Sequence, residues 1–159
     1  MIETPVKAPR KKKADIAIEL YAPFARWRTD LLRVEVRCFG ARSDSDAQIE
    51  DDVKTAMFLA VIREGDKAFG YTIVDRRWPE AAYISIVAID PEYQGKGYLG
   101  KMLGAVEDEL RKIGYAYFEI DARNATLASK IEKHYADRIK AQFEHGSNLG
   151  PMTFFRVLL

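Results

Sequence analysis

The sequence predicts a single mixed α/β domain of the α+β kind, with a central mixed, mostly antiparallel sheet of about seven strands and helices on both faces. Three observations carry that prediction. Residues 83–89 form a β-branched apolar run that stops at Asp90-Pro91, and a glycine-bearing loop then leads into an apolar stripe at helical spacing. Another strand pattern at 115–121 follows that helix, and a strand–helix–strand crossover makes its two strands parallel neighbours. Glycine turns at Glu64-Gly65-Asp66 and between Gly146 and Pro151 instead join their flanking strands antiparallel. With 159 residues and 48% hydrophobic content, the chain suits one domain with a sizeable core.

Residues 1–14 carry two prolines and a basic run, and read as a flexible, solvated basic tail ahead of a domain spanning 15–159. Ile16, Ile18 and Leu20 alternate with other residues, so 15–21 is a first strand. Pro23 suits a helix first turn, and Phe24, Trp27, Leu31 and Cys38 continue a helical stripe to about residue 38. A loop at 40–46 leads into a short helix over 46–54. Asp44, Asp46, Glu50, Asp51 and Asp52 make this the most acidic stretch, read either as a solvated face with capping aspartates or as a wall attracting a cationic partner.

Residues 55–63 and 67–74 form a hairpin, and a turn at 76–80 leads into the 83–89 strand. Leu99, Met102, Leu103, Val106, Leu110 and Ile113 then recur on one helical face, with Arg111 and Lys112 in the last turn and Gly114 just past it. After the strand at 115–121, Asn124 caps a helix to about 136, with Leu127, Ala128, Ile131 and Tyr135 on one face. Strands at 138–145 and 152–158 close the chain.

Composition excludes several function classes. A net charge of +1 argues against wholesale nucleic-acid binding. Cys38 is the single cysteine, so no internal disulfide forms and a reducing compartment is expected. No apolar run reaches membrane-spanning length and no apolar signal core opens the chain, so a cytoplasmic protein without a membrane partner is expected. His134 and His145 are the only histidines, and no metal site is expected.

The chemistry concentrates at Gln94-Gly95-Lys96-Gly97. A glycine loop feeding a helix presents unpaired N–H groups with the positive end of the helix dipole behind them, and reads either as a phosphate site or as a strand-to-helix turn that needs glycine for steric reasons alone. The spacing is not that of a P-loop. Gly95, Gly97 and Gly100 match a dinucleotide fingerprint in spacing, but residues 90–94 separate them from the strand.

At these residues the segment resembles the GCN5-related N-acetyltransferase family. Val87 and Pro91 match its strand end, Gln94 and Gly97 match its loop, and Leu99 occupies its third small-residue position with Gly100 one place later. The resemblance implies acetyl-CoA as cosubstrate, bound in a cleft between the fourth and fifth strands. It puts Val87, Ala88 and Ile89 along the pantetheine as an added strand would lie, and Gln94, Gly95, Lys96, Gly97, Tyr98, Leu99 and Gly100 around the pyrophosphate. It also brings Asn124 to the pantetheine, a role compatible with helix capping.

The implied reaction is direct acetyl transfer to a primary amine: a protein N-terminus, a lysine, or a small cationic amine. An ammonium with a pKa near 10.4 is no nucleophile until it loses a proton. Glu119, five residues before Asn124, is the general base that the resemblance to ribosomal-protein alanine N-acetyltransferases implies. The family's usual acid, a tyrosine seven residues after the asparagine, is replaced by Ile131, and Tyr135 is the nearest hydroxyl on that face. Two other readings stay open: a non-catalytic acyl-CoA-binding sensor or regulatory module, and an adenine-nucleotide binder using the same loop. A homodimer through the last strands, around 153–155, is a further expectation.

Overall fold

The structure is a computed structural model that describes residues 15–148 and 150–159; the predicted basic tail lies outside them. Seven strands form one sheet in the order β1-β2-β3-β4-β5-β7-β6. They are β1 (Ile16–Glu19), β2 (Phe58–Glu64), β3 (Lys67–Arg76), β4 (Ala81–Ile89), β5 (Tyr117–Ala122), β6 (Ile139–Ser147) and β7 (Gly150–Leu158). Only β4 and β5 pair in parallel; every other neighbouring pair is antiparallel. The predicted sheet and its single parallel crossover are therefore what the chain forms.

Among the described residues four α-helices cover the sheet: α1 (Phe24–Phe39), α2 (Asp46–Thr55), α3 (Tyr98–Ile113) and α4 (Ala125–Tyr135). Alternation along the strands sends Phe118, Ile120, Phe155 and Val157 to the face holding Met102, Val106 and Ile131 of α3 and α4. Tyr71, Ile73, Ile86 and Ala88 go to the other face, against Trp27, Leu31 and Val34 of α1. α1 packs on β3 and β4 and α2 on β3. No described helix is long and apolar enough to cross a membrane.

Several boundaries differ from the sequence reading. β1 ends at Glu19 because Tyr21 adopts a left-handed backbone (φ 54°), which breaks the strand. β2 begins at Phe58 because α2 runs on to Thr55. β4 starts earlier, at Ala81, where its pairing with Tyr117 of β5 begins. Short 3-10 turns at Gly40–Arg42, Pro91–Tyr93 and Ala136–Arg138 had no separate signal in the sequence.

Gly70 in β3 is fixed by crowding. A Cβ there would meet Ile89 Cδ1 at 2.6 Å, Ile62 Cγ2 at 2.7 Å and the Ala88 carbonyl oxygen at 2.8 Å. The backbone oxygen cannot swing away, so Gly70→Ala is expected to cost about 1–3 kcal/mol, the range for overpacking a tight core. Urea unfolding measures it; a variant as stable as the parent would show that β4 yields at this point.

Candidate active site

The site begins where β4 and β5 part. They pair from Ala81↔Tyr117 to Ile84↔Ile120 and no further. On the other edge of β4 the register with β3 shifts between Ile73 and Val74, whose partners are Ile86 and Ile84, so Ser85 bulges out. A bulge bends its strand and increases twist. Ile86–Ile89 therefore follow β3 (Ile73↔Ile86, Gly70↔Ile89) while their opposite edge has no strand partner. That edge offers main-chain groups that no strand pairs, able to meet an extended ligand, although the Ile89 carbonyl already accepts from Gln94 Nε2 and Cys38 Sγ.

A cleft of about 740 Å³ opens beside this edge, floored by Val87, Ala88 and Ile89 and walled by α3 and α4. The volume lies within the range for cofactor-sized ligands. Gln94, Gly95, Gly97, Tyr98, Leu99 and Gly100 line one end. Gly95 and Gly97 hold left-handed backbones (φ 75° and 82°), and a Cβ at either would meet no protein atom within 4 Å, so the space before them is open.

Gly97 is the N-cap of α3 and has no side chain to cap it; the helix's first turn closes with Lys101 N–H donating to the Gly97 carbonyl at 3.2 Å. The amides of Tyr98, Leu99 and Gly100 ahead of it have no intrahelical acceptor, and the helix dipole adds positive potential there. These donors fit a diphosphate.

The loop is held from behind. The Tyr93 ring stacks on Phe69 at 3.9 Å, Tyr98 meets the same ring edge-on, and the Tyr93 hydroxyl donates to Glu64 at 2.6 Å. Gln94 Nε2 donates to the Ile89 carbonyl at 2.8 Å, and buried Asp90 accepts from Glu92 N–H and pairs with Arg37. Lys96 does not line the cleft; its ammonium sits 5.6 Å over the Tyr93 ring. Asn124 lines the far wall while its Oδ1 accepts from Leu127 N–H at 2.8 Å, so it caps α4 and keeps its NH2 group for the cleft.

Tyr135 also lines the cleft, beside Ile131. Its hydroxyl is buried without a hydrogen-bond partner, and burial, then the nearby Glu107 charge, pushes its pKa up, so it stays protonated. Cys38 lines the opposite wall, its thiol donating to the Ile89 carbonyl at 3.0 Å. Burial foremost, then the Glu35 and Asp90 charges, push its pKa up to about 12, leaving it no thiolate for nucleophilic attack near neutrality.

Glu119 lies outside the cleft lining, on the sheet face away from α3 and α4. It is buried at 4% exposure, with Arg77 Nη1 at 3.3 Å from one carboxylate oxygen and Arg156 Nε at 3.6 Å from the other. Two groups that the sequence reading did not bring together stand on the same face. Asp121, the first β5 residue past the last β4 pair, accepts from the Tyr83 hydroxyl at 2.7 Å and contacts His145 Nε2 at 2.6 Å. The equal strand parity of Tyr117, Glu119 and Asp121 was visible in the sequence; His145 arrives only through the β6–β7–β5 order.

The acidic stretch is largely used within the protein. Asp44 pairs with Arg123 at 2.7 Å, Glu50 with Arg28 at 2.7 Å, Asp52 accepts from Gln48 Nε2, and Asp46 opens α2 behind the Ser45 cap. Among the described residues no group of three His, Cys, Asp or Glu side chains is placed to hold a metal ion.

Comparison with known proteins agrees with this geometry. No curated protein sequence matches significantly. Among solved structures, the ribosomal-protein-S18-alanine N-acetyltransferase of Escherichia coli superposes with TM-score 0.72 at 17% identity, covering 91% of this chain and 94% of that one. A GNAT family acetyltransferase from Elizabethkingia anophelis with acetyl-CoA bound gives 0.66 at 15% identity, covering 92% and 100%. A Bacillus subtilis acetyltransferase in complex with CoA gives 0.68 at 16% identity, covering 91% and 99%. The sequence model of the Acetyltransferase (GNAT) family matches residues 24–130, which run from α1 through the β4 fork and the glycine loop into α4. The chain therefore belongs to the GNAT family of acetyltransferases.

Proposed function

We propose that this protein transfers an acetyl group from acetyl-CoA directly to a primary amine. The observation that carries the reading is continuous: the unpaired edge of β4 beyond Ile84 runs along a 740 Å³ cleft to the uncapped amides at the start of α3. In this reading main-chain groups of Val87 and Ile89 pair with the pantetheine amides while Ala88, whose carbonyl oxygen faces Gly70 of β3, floors the cleft; Asn124 supplies a donor to the same arm, and the amides of residues 95–100 hold the pyrophosphate. Bound acetyl-CoA supplies a thioester whose carbonyl carbon the amine attacks, forming the amide and releasing the thiol. A β4 main-chain N–H beside the fork is the donor available to the carbonyl oxygen as charge develops on it. Transfer without a protein intermediate is supported by Cys38, the single cysteine, whose protonated thiol is committed to the Ile89 carbonyl.

Tyr135 is the hydroxyl proposed to protonate the departing sulfur, because it lines the cleft beside Ile131 and is protonated near neutrality; the burial that raises its pKa makes it a weaker acid than a free tyrosine. Tyr135→Phe is then expected to slow turnover by about 10-fold or more while coenzyme binding is kept; an unchanged rate removes Tyr135 from that role. Glu119 is the carboxylate proposed to accept the proton lost as the amine attacks, and Glu119→Gln is expected to lower kcat by about 10²-fold at neutral pH with coenzyme affinity kept. Equal activity of parent and variant across pH would leave Glu119 as the anion that anchors Arg77 and Arg156. The reading as a whole is tested by thiol release from acetyl-CoA with a panel of primary amines. Release that no amine accelerates would contradict it, and coenzyme binding without release would favour a sensor.

A further inference from the structure

An ammonium gives up two protons on its way to an amide, one before it attacks and one afterwards, and only one of them ends on the leaving thiol. The other must reach solvent. Glu119 is enclosed, with a guanidinium on each oxygen, so the proton it accepts as the amine attacks is the one that replaces the proton Tyr135 gives the sulfur, and not the one released to solvent. Asp121 and His145 stand differently. Asp121, which like His145 lies outside the cleft lining, is the first β5 residue past the fork, and its carboxylate contacts His145 Nε2 at 2.6 Å. The imidazole is 36% exposed on a sheet face that α1 and α2 leave uncovered.

We propose that His145, held by Asp121, is the group that takes the first proton from the acceptor ammonium and passes it to solvent, an assignment that rests on the acetyltransferase reading above. In neutral His145 the Nε2–H is donated to Asp121 Oδ1 and Nδ1 carries the lone pair; the Gly146 carbonyl, 3.3 Å from Nδ1, accepts from it once the ring is protonated. One N–H bond of the ammonium breaks, directly or through one water, and one N–H bond forms at Nδ1. The nitrogen lone pair is freed for attack, and the exposed imidazolium then loses the proton to water. The Tyr83 hydroxyl holds the second Asp121 oxygen, which fixes the carboxylate as an orienting group.

The charged and titratable groups facing the ring are Asp121 from β5, the Tyr83 hydroxyl from β4 and Arg77 from the β3–β4 turn; β7 presents Met152 opposite it. The Asp121 hydrogen bond raises the His145 pKa above its ordinary value, and Arg77 opposes this weakly. The unprotonated base therefore appears, and the rate climbs, as pH rises through that raised value.

The test is a pH–rate profile of the full chain from about pH 6 to 10, following thiol release from acetyl-CoA with an alanyl-terminal peptide, a lysyl peptide with a blocked terminus, and spermidine. His145→Gln is expected to lose the ascending limb and about 10²-fold in kcat, with CoA affinity unchanged. Asp121→Asn is expected to move the limb to lower pH and lower the plateau, a shift that a merely structural carboxylate would not produce. Glu119→Gln is expected to keep the limb. If the parent turns over and His145→Gln retains the same limb and rate, the assignment to His145 is overturned and the acetyltransferase reading survives. If the parent turns over none of the three amines, both fall.

Discussion

Arg123→Ala is expected to cost about 3–5 kcal/mol of folding stability, the range for removing one partner of a buried ion pair. Arg123, 9% exposed, reaches back from the β5–α4 turn. Its Nη1 lies 3.3 Å from Glu35 of α1 and its Nη2 2.7 Å from Asp44, and it accepts from Arg42 through its own carbonyl. Glu35 is 1% exposed and takes further hydrogen bonds from the Tyr71 hydroxyl at 2.6 Å and the Asp44 N–H at 2.8 Å. Truncating Arg123 leaves that carboxylate buried without a countercharge.

The pH dependence follows from the Glu35 carboxyl, whose pKa burial raises while the Tyr71 hydrogen bond, the Asp44 N–H and Arg123 pull it down. A carboxyl raised in the folded state keeps its proton to higher pH than in the unfolded chain. The folded state therefore loses relative stability as pH rises from the ordinary carboxylate range through the raised value. Without Arg123 that window widens, so the deficit should be largest at neutral pH and shrink on acidification. Urea unfolding at neutral pH and near pH 4.5 measures both, and pairing with Glu35→Gln should recover much of the loss. A deficit below about 1 kcal/mol would mean that water replaces the guanidinium.

Gly97→Asp is expected to weaken CoA and acetyl-CoA binding by about ten- to hundred-fold, roughly 1.4–2.7 kcal/mol, while the fold survives. Aspartate is among the few non-glycine residues that enter the left-handed region, and a Cβ at Gly97 meets no atom within 4 Å, so the stability cost should stay near 1 kcal/mol. As an N-cap, its carboxylate accepts the amides that a diphosphate would use and repels the phosphates by charge. Calorimetry on the variant reads the affinity and thermal unfolding reads the fold. Full affinity would move the phosphate site away from the start of α3.

Much of this was legible in local sequence, for identifiable reasons. The β-branched run into Asp90-Pro91, the two loop glycines and the α3 stripe each obey a local rule, and the cleft that residues 87–100 line stands where those rules put it. The Ser85 bulge that opens the fork left no signal, because Ser85 continues an acceptable strand alternation. The partners of Glu119 were hidden too: Arg77 comes from the β3–β4 turn through the β4–β5 pairing, and Arg156 from β7 through the β5–β7 pairing. His145 and Asp121 belong to the same class of contact, as does the Arg123 clamp across α1, β3 and the β5–α4 turn. Local periodicity specifies the phosphate end; tertiary pairing specifies the acceptor end.

Isothermal titration of the parent chain with CoA and acetyl-CoA shows whether the parted β4 edge and the uncapped start of α3 take up coenzyme A. Saturable uptake of one equivalent of each is expected, with a negative heat-capacity change from burial in the apolar cleft and weaker uptake by Gly97→Asp. No heat of binding with either ligand at millimolar concentration, or equal uptake by the Gly97→Asp variant, would contradict it.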